Sequence, residues 1–253
     1  MKLTAFLRYF FGLLYPNLCA VCGNALSGRE YICCLSCLYH LPRTNYWKEP
    51  GNPIEQIFWG LVPVEHVCAL FFFSKGSRYR KLLHKLKYKG MPEIGVELGR
   101  QLGLELKNAP LYQCIDTIIP VPLHPKRQRR RGYNQSERIA AGIAQITGWK
   151  VNTSSLVRTR FTGTQTRKSR QERWENVSGA FALQDAAAIT NRHVLLVDDV
   201  LTTGATMEAC ILQLKKAAGC KVSVATLACT KKTAAPVFGS PLTPAPADSD
   251  RHP

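Results

Sequence analysis

Val194 Leu195 Leu196 Val197 Asp198 Asp199 Val200 Leu201 Thr202 Thr203 Gly204 Ala205 Thr206 runs from an unbroken apolar tetrapeptide into two carboxylates and then a hydroxyl-rich turn. A short β-branched run without alternation is the pattern of a strand buried on both faces of a parallel sheet. Residues 205–218 read as the helix that follows and 222–228 as the next strand. Strand, helix, strand in that order gives a right-handed crossover, and repeats of it give a doubly wound sheet with ligand sites at the strand C-terminal ends. The turn at 202–206 has the makings of a phosphate cradle: hydroxyls and backbone N–H groups at a helix start, Gly204 to allow close approach, and no Walker lysine. Asp198 and Asp199 stand where carboxylates accept hydrogen bonds from sugar hydroxyls. They could instead cap the following helix, but paired acids beside a buried strand cost more than a cap requires.

Upstream, 115–121 reads as another strand, followed by a basic loop and an alanine-rich helix near 134–146 that Gly148 ends. At 93–106 a helix carries Gly95, Gly99 and Gly103 on one side, the mark of a helix pressed closely against a sheet. An apolar strand spans 67–73. Over 78–88, Leu82, Leu83 and Leu86 line one helical face, and the basic residues between them read as a solvated face. Residues 42–63, with Pro50, Gly51, Asn52 and Pro53, suit a connection between modules.

The N-terminal part is marked by cysteine. Cys19 and Cys22 form one CxxC pair and Cys34 and Cys37 a second, with eleven residues between the pairs. Four thiolates in two such knuckles suit a closed, structural Zn2+ site, with Cys33 and His40 as nearby substitutes for the fourth ligand. A module of about forty residues has too little core to stand without such a staple. Leu3, Phe6, Leu7, Phe10, Leu13 and Leu14 fall on one side of an amphipathic helix. Lys2 and the apolar stretch mimic a signal peptide, but Arg8 interrupts it and no cleavage site follows. No window is long and apolar enough to span a membrane, so a cytoplasmic location is expected. The tail from Thr233, rich in Ala and Pro, reads as disordered.

The 253 residues carry 34 Lys and Arg against 17 Asp and Glu, a formal charge of +17, so acidic partners such as phosphates, nucleic acid or anionic lipid are expected. Eighteen of those cations lie in the tracts 75–89, 126–131 and 158–173. Tyr79, Tyr88, Tyr133, Phe161 and Trp174 are interleaved with them, a combination suited to single-stranded nucleic acid.

The thirteen residues quoted first resemble, position for position, the phosphoribosyl pyrophosphate (PRPP) signature of type I phosphoribosyltransferases. Together with the CxxC pairs, Pro120 Val121 Pro122 Leu123 His124 Pro125, Arg131 Gly132 Tyr133 Asn134 Gln135, and Arg173, Asn176, Val177, Gly179, Ala180 and Phe181, the chain is similar to the ComF family over residues 1 to about 230. The resemblance implies an α/β, Rossmann-like, mainly parallel sheet with flanking helices at 64–230 and a four-cysteine zinc module with its leading helix at 1–50, which leaves the disordered tail at 231–253. It makes Asp198 and Asp199 the catalytic pair holding the ribose 2′ and 3′ hydroxyls. Thr202, Thr203, Gly204, Ala205 and Thr206 would hold the 5′-phosphate, and Arg131, first among the cations of 126–131, the pyrophosphate. Mg2+ would arrive with PRPP, and a mobile catalytic loop would fall at 158–176. Transfer would displace pyrophosphate from the anomeric carbon through an oxocarbenium-like state. The acceptor is not readable, because the zinc module stands where familiar members carry a base-holding hood. Two functions follow: a transferase linked to DNA uptake in natural transformation, or a non-catalytic PRPP- or nucleotide-regulated module that holds single-stranded DNA or a DNA-uptake protein.

Overall fold

A computed structural model describes residues 17–28, 30–74, 76–161 and 179–230. The leading helix, most of the loop expected at 158–176, Trp174 and the C-terminal tail lie outside the described residues. Five strands, β1 (Val67–Phe73), β2 (Thr117–Pro120), β3 (Lys150–Val151), β6 (His193–Leu201) and β7 (Lys221–Thr230), form one sheet in the order β1-β7-β6-β2-β3. Every pairing in it is parallel. β4 (Leu156–Arg158) and β5 (Phe181–Leu183) make a separate antiparallel ribbon. Parallel strands need cover on both faces, and the continuous apolar runs of β1, β6 and β7 supply it by burying nearly every residue.

One face is covered by α3 (Arg80–Tyr88), α4 (Glu93–Lys107) and α6 (Gln135–Thr147). Their Leu82, Leu86, Leu98, Leu102, Ile139 and Ile143 pack on Leu195, Val197 and Leu227. The opposite face is covered by α2 (Pro53–Gln56) and α7 (Ala205–Leu214), with Ile54, Phe58, Met207, Ile211 and Leu214 against Ala69, Leu196 and Val224. β2 continues through α6 to β3 on one side of the sheet, and β6 through α7 to β7 on the other. The chain therefore reverses direction between β2 and β6, which makes their C-terminal ends the topological switch point where open α/β sheets bind ligands.

Three expectations change in detail. The glycine stripe of α4 faces a helix, not the sheet. A Cβ on Gly99 would run into the Ile139 carbonyl of α6, and one on Gly103 would stand 3.1 Å from Ile143 Cα. The basic segment after β2 is not a loop but a helix, α5 (Pro125–Arg131), with Pro at N1 and His124 Nδ1 accepting from the Lys126 N–H at 3.2 Å. Residues 42–63 are not a free connection. Trp47, Ile54 and Phe58 are buried, Asn52 Nδ2 donates to the Val67 carbonyl at 2.8 Å, and Glu55 Oε2 accepts from the Val67 N–H at 3.2 Å. These bonds fasten the segment to the start of β1.

The cysteine-bearing segment around α1 (Leu35–Tyr39) sits on the α3/α4 side, its Cys19, Val21, Cys33, Cys37 and Leu41 belonging to the same apolar cluster. Tyr79 Oη donates to the Cys37 carbonyl at 3.0 Å, and Arg43 pairs with Glu105 of α4 at 2.9 Å. Among the described residues no helix is long and apolar enough to cross a membrane.

Candidate functional site

β6 extends past its apolar core and carries both acids, because β7 pairs with it as far as Leu201, with Asp198 opposite Thr226. Asp198 Oδ1 accepts from Ser136 Oγ at 2.7 Å and from the Asp199 N–H at 2.8 Å. Asp199 is only 3% exposed, and its Oδ1 meets Lys87 Nζ at 3.0 Å. Its Oδ2 is buried and finds no hydrogen-bond partner among the described residues. A buried carboxylate oxygen left without a donor is costly, so a donor from a ligand, a water or an ion would complete its bonding.

Burial, and after it the Asp199 charge, raise the Asp198 carboxyl to about 6 against the pull of Ser136 and Lys87. For Lys87, burial disfavours the ammonium, but Asp199 and Asp198 outweigh it and hold the group above its ordinary range. The folded chain thus binds the Asp198 proton more tightly than the unfolded chain does. Asp198 adds most stability below its unfolded pKa near 4, and that contribution is lost as pH rises through about 6. Asp198→Asn keeps an acceptor for Ser136 and for the Asp199 N–H while removing the charge. At pH 7.5 it is expected to stabilise the protein by about 1 to 3 kcal/mol, with the difference shrinking towards zero as pH falls to about 3, read by thermal unfolding. A variant no more stable than the parent at pH 7.5 would contradict this account.

Residues 131–136, the first five of which carry part of the family resemblance, bracket the site. Tyr133 Oη donates to the Leu86 carbonyl, Asn134 Nδ2 to the Val121 carbonyl at 3.1 Å, and Ser136 Oγ to Asp198. Asn134 Oδ1 also caps α6 by accepting the Ser136 N–H at 3.0 Å. One hexapeptide ties α3, the turn after β2, and β6 together. Arg131 donates to Gln135 Oε1, and its guanidinium lies 5.8 Å from the centre of the Tyr88 ring.

Below the acids, Thr202 is exposed, Thr203 and Thr206 are half-buried, and Gly204 and Ala205 are buried. Gly204 has φ +83° and stands at the N-cap of α7, so its backbone would strain another residue. A Cβ there would point at Phe58, 3.2 Å away, and Ile57, 3.3 Å away. The glycine is needed for packing beneath the turn, whereas the sequence reading assigned it to ligand approach.

Cations gather at the mouth. Arg127 lies 5.5 Å from the centre of the Phe161 ring, and His124 packs edge-on to the same ring at 5.2 Å. Burial, then Arg131 and Arg130, lower the Arg127 pKa; His124 is lowered by desolvation, then by Arg158, Lys126 and Arg127. Tyr88 and Phe161 are 58% and 49% exposed, leaving faces for a ligand. Tyr79 and Tyr133 are buried and donate their hydroxyls to backbone carbonyls, so they serve the core rather than a stacking surface. Sequence reasoning also missed Lys87, taken with its helix as solvated. Its place beside Leu86, at the edge of the apolar face, was the available signal.

The sulfur atoms of Cys19, Cys22, Cys34 and Cys37 all lie within 4.8 Å of one another, a group able to hold a metal ion. Cys22 and Cys34 Sγ are 3.8 Å apart, close to the roughly 3.8 Å edge of a tetrahedron with 2.3 Å metal–sulfur bonds. Burial opposes ionisation of Cys19, but the backbone N–H groups of Cys22, Cys34 and Val21 outweigh it and bring the thiol down to about 6. Cys33 and His40 are outside the group: Cys33 is buried in the core, and the His40 Nδ1 is 2.8 Å from the Ser36 carbonyl.

Comparison with known proteins finds a phosphoribosyltransferase domain in the chain. The family model "Phosphoribosyl transferase domain" matches residues 132–238. "DNA utilization protein YhgH" of Escherichia coli O6:H1 is 37% identical over 129 residues, 50% of this chain and 56% of that protein. The chain thus matches little more than half the length of that relative. Competence protein F of Haemophilus influenzae is 34% identical, covering 53% of this chain and 61% of that protein. A solved purine phosphoribosyltransferase from Pyrococcus horikoshii aligns at 19% identity and a TM-score of 0.35, covering 53% of this chain and 73% of that one. "DNA utilization protein YhgH" of Salmonella typhimurium is 33% identical over 77% of this chain and 82% of that protein. Matched at that identity along four fifths of a relative's own length, the chain belongs to the ComF family of proteins with a phosphoribosyltransferase domain.

Proposed function

We propose that the chain binds PRPP with its acid pair and threonine turn, and that it does so in the handling of DNA during natural transformation. Asp198 and Asp199 accept hydrogen bonds from the ribose 2′ and 3′ hydroxyls, and 202–206 holds the 5′-phosphate at the N-terminus of α7. Mg2+ enters as part of the substrate, on the diphosphate, which the cations of α5, Arg131 among them, face. Cys19, Cys22, Cys34 and Cys37 hold a structural Zn2+. The observation that carries the reading is the buried Asp199 Oδ2, lacking a donor at the switch point of the sheet. The names of the relatives, a DNA utilization protein and a competence protein, support the setting, and a soluble chain in the cytoplasm suits it.

Calorimetry with PRPP and magnesium tests the site. Asp199→Ala should weaken binding about 100-fold or more, the scale of losing a charged hydrogen-bond acceptor together with the partner of Lys87. Equal heats from the two proteins would refute the assignment. Release of pyrophosphate across purine and pyrimidine acceptors would establish a transferase, with C1′–oxygen cleavage assisted by cations at the leaving group. Binding without release would establish a regulated module.

A second reading rests on the exposed Tyr88 and Phe161 beside Arg131 and Arg127. These suit single-stranded DNA, the rings stacking bases and the cations neutralising phosphates. Affinity for a labelled oligonucleotide should fall steeply with salt, by about 10-fold or more between 50 and 200 mM if several phosphates are engaged. A flat response removes this reading.

A further inference from the structure

Adjacent carboxylates at the end of a buried strand cannot both stay ionised cheaply unless a positive charge is supplied. Among the described residues Lys87, at the end of α3 and far outside the thirteen-residue signature, is the cation in direct contact with the pair, 3.0 Å from Asp199 Oδ1. It is held from both sides. Tyr133 Oη fixes the carbonyl of Leu86 just before it, and Arg131 lies over the ring of Tyr88 just after it. The same hexapeptide also delivers Ser136 to Asp198. Residues 131–136 therefore set the partners of both acids at once, and the oxygen of Asp199 that Lys87 leaves alone is the buried one without a donor.

We infer that Lys87 is a positioning residue of the PRPP site: its ammonium holds one oxygen of Asp199 so that the other is presented, charged, to a ribose hydroxyl. The inference rests on reading Asp198 and Asp199 as the diol-binding pair. Lys87 faces Asp199, Asp198 and Tyr88, while the acids also feel Ser136 from α6, Arg158 from β4 and Cys210 from α7. Without Lys87 the pair shares a proton near neutrality, because Asp198 already resists ionisation, and a protonated carboxyl is a poorer acceptor. A purely structural ion pair would not couple substrate affinity to pH in this way.

The test is calorimetry with magnesium PRPP from pH 6.5 to 9 on the full chain, with Lys87→Met and Lys87→Arg. Lys87→Met is expected to bind about 10-fold more weakly at pH 7, because losing the neighbouring cation lets the acid pair keep a proton there. The gap should close to about threefold or less by pH 9 as the shared proton leaves. Its binding heat should depend on the buffer's ionisation heat at pH 7.5, reporting proton release that the parent lacks. Lys87→Arg restores the charge and should track the parent. Lys87→Gln, equally uncharged, replaces Lys87→Met if that protein does not fold. Parent-like affinity of the uncharged variant at pH 7, or a pH-independent loss shared with Lys87→Arg, overturns the inference. A parent that does not bind PRPP, or an Asp199→Ala protein that binds as the parent does, sinks the site assignment instead, so the two failures are distinguishable.

Discussion

Replacing Cys37 with serine is expected to abolish zinc retention and to unfold residues 17–41, leaving the five-stranded sheet folded. Metal binding is worth about 10 to 16 kcal/mol in small zinc peptides, far more than the few apolar side chains of this segment return by burial. Among the described residues its regular structure is one five-residue helix and an isolated bridge between Leu18 and Ala25. Zinc content by mass spectrometry and hydrogen exchange across 17–41 check the result. Cys33→Ala and His40→Ala should retain one equivalent of zinc, since neither side chain belongs to the four-sulfur group. Loss of zinc from the Cys33 variant would mean that the ligand set is wrong.

Gly142→Val should destabilise the whole domain by about 3 to 5 kcal/mol, at the upper end of what overpacking costs, because the obstruction is backbone. A Cβ at Gly142 would run into the Val96 carbonyl and approach the Arg100 nitrogen and Gly99 Cα at 2.9 Å. Helices meeting through glycine cannot accept a side chain without separating. Separation would carry off the start of α6, where Asn134 and Ser136 stand, so weaker PRPP binding should accompany the lower melting temperature. Gly148→Ala is the control: that glycine has φ +78° with open space around it, so only conformational strain of about 1 kcal/mol is expected. Equal melting temperatures for the two variants would show that the helices tolerate separation.

What was readable in the sequence was local. The strand, acid pair, threonine turn and helix at 194–206 lie consecutively along the chain, so their order alone conveys the geometry. The cysteine spacing is equally local, and the sulfur cluster forms from the four positions it names. Periodicity, however, shows that a face is buried without showing what buries it. The glycines of α4 could be read as a close-packing face, but nothing in 93–107 reveals that α6 is the partner. The same blindness hid the pair between Lys87 and Asp199 and turned Tyr79 and Tyr133 into apparent stacking residues. Residues 42–63 misled for the opposite reason. Proline and glycine punctuate a loop and a well-packed irregular segment alike, and only Trp47, Ile54 and Phe58 hinted that this one has an interior.

Phe58 and Ile57 beneath Gly204 bear on how the molecule can be divided. A fragment trimmed to the residues matched by the family model, 132–238, would discard strand β1 and the aromatic floor of the threonine turn alike. Even a cut at residue 64 would leave the turn unsupported over a void. Grafting or minimising this protein therefore has to treat the irregular stretch ahead of the first strand as part of the domain's chassis, not as packaging.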